Sequence, residues 1–412
     1  MAPTAPAEPA DNTRLLINRL WAAGLATLVV ATWRLWTPWR DTPRVPPLAV
    51  LGRVPASVDL LLFGGLLALC VLVVLRPHRR WLLIAAAGCL AGLMSVDQLR
   101  WQPWAYQLLV TAAPLATLPN EQRTRWLRVL LVSIYLFAAE AKMDVEFART
   151  IGQQIAGAGA AIVGIDWPAL PAALRLAVAL TLPIAEAVVG LLLAVRRVRR
   201  AGVVAAGLLH AGVVVAVGPL GLNHQAGVLV WNVVFFAFVA LLFTPQEASP
   251  TSVLAAGGRP GPVSAKLILL VAIAAPLTQP LGWWDRWPAW GLYAPRGERA
   301  AVFVHNAAAE RLPPGLPVEP ATGDGPWRRV RLDEWQLSQT AAPLYPQNRI
   351  ALALALELDR RARLGAYVAV DLESAANRWT GERTGTQLVG AKQIRGHAAR
   401  HCWLNWRPAP GR

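Results

Sequence analysis

Apolar residues fill long uninterrupted runs along this chain, and polar residues collect in short segments between them. Runs approaching the ~20 residues that cross a bilayer fall near 19–37, 57–75, 81–96, 103–119, 126–145, 172–195, 202–218, 227–243 and 264–283. The third and fourth are short, and Pro103, Pro114 and Pro119 punctuate the fourth. The first run continues from Arg14 through Val29 to Trp36 with no small-residue cleavage site, so it reads as an uncleaved anchor helix. Residues 1–13, rich in Ala and Pro, read as a disordered tail.

After the last run the pattern changes. Trp283, Trp284, Trp287 and Trp290 crowd the exit, as amphipathic rings do at the headgroup level. Ala301 to His305, Trp327 to Leu332 and Tyr367 to Leu372 then read as short strands, and Asn348 to Arg363, preceded by Pro346, as a helix. The fold expected is an all-α polytopic membrane bundle of nine transmembrane helices over 14–285, followed by a small α+β extramembrane domain over 286–412.

Composition agrees. Hydrophobic residues make up 55% and charged residues only 16%, against roughly 25% charged in soluble domains. A soluble enzyme, a disordered scaffold and a secreted disulfide domain are excluded. The net charge of +16 points to basic loops on one membrane face rather than to nucleic acid. With the N-terminus inside, the inner segments hold Arg14, Arg19, Arg76, Arg79, Arg80, Arg123, Arg125, Arg128, Arg196, Arg197, Arg199, Arg200, Arg259 and Lys266, which is 14. The outer ones hold Arg34, Arg40, Arg44, Arg53, Arg100, Lys142, Arg149 and Arg175, which is 8. Cytoplasmic loops collect Lys and Arg, so the C-terminal domain is expected outside a bacterial inner membrane. Cys70, Cys89 and Cys402 have no metal-ligand spacing, and no metal is expected.

Ionisable groups inside a bilayer are costly, so each is a candidate. Glu186 and His210 fall mid-run, Asn232 early in the eighth run, and Glu140 and Lys142 near the outer end of the fifth. They either glue helices together or form a site. Glu186 is expected to face the bundle, protonated or paired with His210 or Asn232. Asp97, Gln98, Trp101, Gln102, Trp104 and Tyr106 meet Lys142, Asp144, Asn223 and His224 at the same outer level. An aromatic belt explains the tryptophans but not the clustering of amides and His224, which points to an outward-facing substrate site. Lys142 either snorkels to the interface or sits in an apolar pocket, where desolvation makes it a usable base. A Lys142–Glu146 pair at i, i+4 would keep it charged.

The segment Tyr135-Leu-Phe-Ala-Ala-Glu-Ala-Lys-Met-Asp-Val-Glu-Phe147 resembles one in vitamin K-dependent γ-glutamyl carboxylase and its bacterial HTTM-domain relatives. Those have a Tyr, a small-residue pair, then Lys, an apolar residue, Asp or Asn, and an aromatic five positions after the Lys. Gly218-Pro-Leu-Gly-Leu-Asn223 with Trp231-Asn232, and Asp97-Gln98 with Trp101-Gln-Pro-Trp104-Ala-Tyr-Gln107, look like further segments of the family. Leu332-Asp-Glu-Trp335, then Pro343-Leu-Tyr-Pro346 with Arg349, resembles its outer tail. The resemblance covers roughly residues 95–245, with an echo at 327–350. It implies that Lys142 matches the proposed base that deprotonates vitamin K hydroquinone, and that the cofactor is a quinone. Ala141 stands where the carboxylase has a second lysine, Glu140 replaces a neutral residue, and the large lumenal substrate-binding region has no counterpart. The resemblance therefore implies a quinone-handling or otherwise lysine-based membrane enzyme rather than a protein-glutamate carboxylase. The rival expectation is a non-enzymatic membrane subunit or assembly factor that docks a periplasmic partner through its C-terminal domain.

Overall fold

The computed structural model describes residues 9–244, 261–320 and 325–402. Each apolar run forms helix, and prolines account for the break before α10 and the tightening after α13. Helix α1 (Pro9–Ala31) starts inside the stretch expected to be a tail, with Pro9 at its first position, where a missing N–H costs nothing. Thr32 then offsets a short α2 (Trp33–Trp36), accepting from Trp36 Nε1 at 3.0 Å. Next come α3 (Ala56–Leu75), α4 (Arg80–Ser95), α5 (Pro103–Thr117) and α6 (Asn120–Glu140). The run 172–195 is split into α9 (Ala172–Ala179) and α10 (Thr181–Ala194), because Pro183 cannot donate to the Ala179 carbonyl. Helices α11 (Arg199–Val217) and α12 (Ala226–Phe243) are unbroken. The last run begins as α13 (Val263–Ala274) and tightens into a 3-10 helix over Ala275–Leu281, which contains Pro276 and Pro280.

The connection 145–172 holds two helices that the apolar pattern does not predict: α7 (Val145–Arg149) and α8 (Ile151–Ile162). Asp144 caps α7, accepting from Phe147 N at 2.7 Å. Helix α8 is an apolar segment of 12 residues, below the length that signals a span. Among the described residues, six helical segments are long and apolar enough to cross a membrane: Asn12–Ala31, Ala56–Leu75, Ala172–Ala194, Arg196–Val217, Ala226–Phe243 and Val263–Leu281. The other three of the nine runs are helical too, but α4 and α5 are short and α6 opens on Arg123, Arg125 and Arg128.

Hydrogen bonds sort the helix ends onto two faces. On one, Asn18 Nδ2 donates to Pro77 O at 2.8 Å and Arg128 Nε to Leu242 O at 2.6 Å, while the Arg128 and Arg199 guanidiniums lie over the Phe243 ring. On the other, Asp97 Oδ1 accepts from Val45 N, and Gln98 N donates to Val45 O. The C-terminal domain sits on this second face.

That domain is a four-stranded antiparallel sheet in the order β2-β1-β3-β4, formed by β1 (Arg299–His305), β2 (Trp327–Val330), β3 (Val368–Glu373) and β4 (Gly385–Val389). Val302 pairs with both Val330 and Val370, and Val370 with Leu388, which sets one buried row across the sheet. Three helices accompany it: α14 (Leu332–Thr340), α15 (Asn348–Ala362) and α16 (Ala391–His401). Every residue of α15 from Ile350 to Leu358 is buried. The helix lies against β1 and β3, and its ends reach the bundle through Arg349 and Arg361.

Candidate functional site

Tyr135, Ala138 and Lys142 follow one face of α6 and the turn after it. Helix α10 runs antiparallel against that face: Glu186 lies opposite Lys142, and a Cβ on Gly190 would come within 3.2 Å of Tyr135 Cβ. Lys142 Nζ donates to both Glu186 carboxylate oxygens, at 2.8 and 2.7 Å, and to Ala138 O at 2.9 Å. Lys142 is only 2% exposed, so it does not snorkel. The expected partners of Glu186, His210 and Asn232, are engaged elsewhere. Asn232 Nδ2 donates to Val228 O at 2.8 Å, which orients its amide oxygen toward His210 Nδ1 at 2.8 Å. His210 therefore carries its proton on Nδ1, and Nε2 accepts from Tyr135 Oη at 2.7 Å.

Glu146 does not reach Lys142 either. Helix α6 ends at Glu140, the chain turns over 141–144, and Glu146 bonds Arg299 of the C-terminal domain instead. Glu140 bonds Arg378 of the same domain, while Val145 N donates to Arg378 O at 3.1 Å.

The polar stretch after α4 is committed to holding elements together. Asp97 pairs with Arg40 and accepts from Val45 N and Leu99 N at 3.0 and 3.1 Å. Burial would raise its pKa, but Arg40, Arg100 and the Val45 N–H hold it below the usual carboxylate range. Gln98 accepts from Arg349 Nε at 2.7 Å, and Gln102 Nε2 donates to Pro343 O at 3.1 Å. Trp101 packs edge-on against Tyr345, Trp104 is buried against Trp36, and Tyr106 tilts against Trp290. The bonds of Asp97, Gln98 and Gln102 run to the connecting loops and the C-terminal domain, whereas those of Lys142 run to Glu186 and Ala138.

A cavity of about 530 Å³ does open between the bundle and the C-terminal domain. Its walls include Thr150, Arg286, Tyr293, Arg329, Tyr345 and Asn348, none of them expected from the sequence. Two of them touch residues that were. Tyr345 meets Trp101, and Tyr293 Oη meets His224 Nδ1 at 2.8 Å with the rings stacked. Asn223 sets up that contact from a left-handed conformation (φ 52°). Burial lowers the His224 pKa below its ordinary value. Gly291, in the cavity wall, would carry a Cβ 3.4 Å from Ala141, so the cavity adjoins the turn that carries Lys142.

Also unforeseen is the pair Arg100–Asp59, in which Nη1 and Nη2 reach the two carboxylate oxygens at 2.9 and 2.8 Å with both side chains fully buried. The signal was an acid in the first turn of an apolar run, with an arginine near the same membrane edge. Among the described residues, no group of three His, Cys, Asp or Glu side chains is placed to hold a metal. Compared with known proteins, the chain matches no family model, no curated protein and no solved structure.

Proposed function

We propose that this chain is a multi-pass inner-membrane protein whose Lys142–Glu186 pair exchanges protons with a lipid-soluble, quinone-like substrate. The observation that carries the reading is a buried lysine held by both oxygens of a carboxylate, near the end of the bundle that carries the C-terminal domain. A pair of this kind shares one proton between two groups. As an ion pair, the Glu186 carboxylate is the acceptor; once the proton passes from Lys142 to Glu186, the neutral amine is the acceptor. Either form takes one proton from a quinol hydroxyl and ends as the same state, a Lys142 ammonium beside a neutral Glu186 carboxyl, and that ammonium balances the resulting oxyanion. If the segment 135–147 corresponds to that of HTTM and vitamin K carboxylase proteins, as its sequence suggests, Lys142 takes the place of their proposed base.

Nine crossings, with the N-terminus inside and the C-terminal domain in the periplasm, complete the proposal. The sorting of helix ends onto two faces and the basic cluster of Arg196, Arg197, Arg199 and Arg200 opposite the C-terminal domain support this topology.

The test is purification from the membrane followed by organic extraction. A stoichiometric quinone in the wild-type extract, reduced in Lys142→Met, is the expected result; its absence from both removes the quinone. A second reading has its own support. Gln98, Gln102 and Asp97 lock the C-terminal domain or its supporting loops to the bundle, as suits a rigid membrane subunit presenting that domain to a periplasmic partner. Covalent cross-linking in intact cells from Trp379, 77% exposed on this domain, tests it. A discrete adduct favours the subunit, and a featureless pattern opposes it.

A further inference from the structure

The cavity between bundle and C-terminal domain is separate from the Lys142–Glu186 pair and has a chemistry of its own. Three arginines contribute to its walls, Arg286, Arg299 and Arg329, against two acids, Glu298 and Asp333. Arg299 is neutralised by Glu146, and Asp333 lies 3.9 Å from Arg331. Arg329 reaches Glu319 only at 3.8 Å. Arg286 forms no ion pair among the described residues. Its bonds go to backbone carbonyls, Nη1 to Ala294 O at 2.8 Å and Nη2 to Glu298 O at 3.4 Å. The guanidinium lies directly over Gly297, where any Cβ would overlap it, so this one position must be glycine for Arg286 to sit there. Burial and the neighbouring Arg383, Arg296 and Arg299 push its pKa down to about 10, with Glu298 opposing; the site thus favours an added negative charge.

The opposite wall is the N-terminus of α15. Its cap residue, Gln347, makes no side-chain capping bond, so the cap side chain leaves the first-turn donors uncapped, although Ile350 N donates to Gln347 O at 3.0 Å and the Asp285 carboxylate is held by Arg349 and Tyr345. Asn348, the first residue of the helix, lines the cavity beside Gln347. The connection between the walls is strained. Trp290 and Tyr293 both hold left-handed backbone, at φ 65° and 53°, a conformation that bulky side chains rarely adopt and that clusters at ligand sites.

We propose that this cavity binds an oxyanion of the phosphate type, between Arg286 and the N-terminus of α15. A guanidinium with free N–H groups and a helix N-terminus are the two commonest protein partners of that chemistry. The oxyanion belongs either to a lipid headgroup, reached past the exposed Trp283, or to a soluble phosphate compound.

The experiment uses the full chain, purified in neutral detergent or reconstituted in phosphatidylcholine nanodiscs. Intrinsic fluorescence is followed, because Trp287 lines the cavity and Trp290 is the residue before Gly291 in its wall. The probes are inorganic phosphate, at ionic strength held constant with chloride, and phosphatidylglycerol added to the nanodiscs. Saturable binding of either is expected, phosphate alone identifying a soluble ligand and phosphatidylglycerol alone a headgroup. Arg286→Gln should weaken it at least tenfold. Should that variant fail to fold, Asn348→Asp carries the test: it adds a negative charge to the cavity at a helix N-terminus, where Asp is well tolerated. It should bind at least tenfold more weakly with an unchanged unfolding temperature in the absence of probe. Lys142→Arg should bind as wild type, which separates this site from the proton-exchange reading. No saturable binding of either probe, or equal binding by the wild type and Asn348→Asp, overturns the proposal.

Discussion

Lys142 Nζ lies 2.8 and 2.7 Å from the two oxygens of the Glu186 carboxylate, across the α6–α10 interface. Both groups are largely removed from water, so the pair is worth little against an apolar replacement but a great deal against removal of one partner. Glu186→Gln, which leaves the ammonium without a counter-charge, should destabilise the protein by about 3 kcal/mol. The double variant Lys142→Met, Glu186→Met should recover most of that loss. Unfolding in mixed micelles measures both; additive losses would show that the two residues do not act as a pair.

The helical part was legible because long apolar runs satisfy their backbone groups as helices. In the C-terminal domain β1, β2, β3 and α15 were legible, whereas β4, α14 and α16 were not. What failed was local. The start at Pro9 was hidden by an Ala/Pro-rich composition, and α7–α8 by their shortness. At the site, the sequence located Lys142, Glu186, His210, Asn232 and His224 as polar residues in apolar surroundings but not their pairings. Pairing depends on which helices are neighbours and on where α6 ends. The end of α6 at Glu140 takes Glu146 away from Lys142, and the antiparallel α10 brings Glu186 to it. The bonds of Gln98 to Arg349 and of Gln102 to Pro343 were not legible because those partners lie more than two hundred positions along the chain.

The Tyr135–His210–Asn232 chain makes a spectroscopic prediction. With Asn232 fixed by Val228 O, His210 must be the neutral Nδ1–H tautomer. Nitrogen-15 chemical shifts of labelled protein should show one protonated and one bare ring nitrogen, and Tyr135→Phe should shift mainly Nε2. The loss in stability should be about 1 kcal/mol, as for other hydrogen bonds between membrane helices. A proton on Nε2 in the wild type would reverse the assignment.

Asp285 is the pin of the domain junction. Its Oδ1 accepts from Arg349 Nη1 at 2.9 Å, and its Oδ2 accepts from Tyr345 Oη at 2.7 Å, while Arg349 Nε reaches Gln98. Asp285→Ala should cost about 2–3 kcal/mol in charge-assisted hydrogen bonds and loosen the junction first. Hydrogen exchange should speed up over 343–350 while α6 and α10 stay protected. Uniform acceleration along the chain would mean that the junction and the bundle unfold together.

Topology gives a cheaper check. A reporter active only in the cytoplasm should work when fused after Arg200 and fail when fused after Arg299, because the two residues lie at opposite ends of the helical segments. Signal from both fusions would place the C-terminal domain on the inner side and remove one crossing from the count.

His224 predicts how stability responds to pH. Its imidazole is half-buried against Tyr293, and burial holds its pKa below the ordinary 6.5. The folded state therefore binds fewer protons than the unfolded state as the pH falls past 6.5, and stability drops with it. The His224 contribution is complete above that pH and is lost progressively down to the folded pKa. His224→Asn keeps a hydrogen-bonding group near Tyr293 but does not titrate. Subtracting its stability profile from that of the wild type isolates His224 from Asp144, whose pKa burial moves the opposite way, upward. The difference should be flat above pH 6.5 and fall below it; a difference that stays flat, or rises as the pH falls, would mean that His224 is as well solvated in the folded protein as in the unfolded chain.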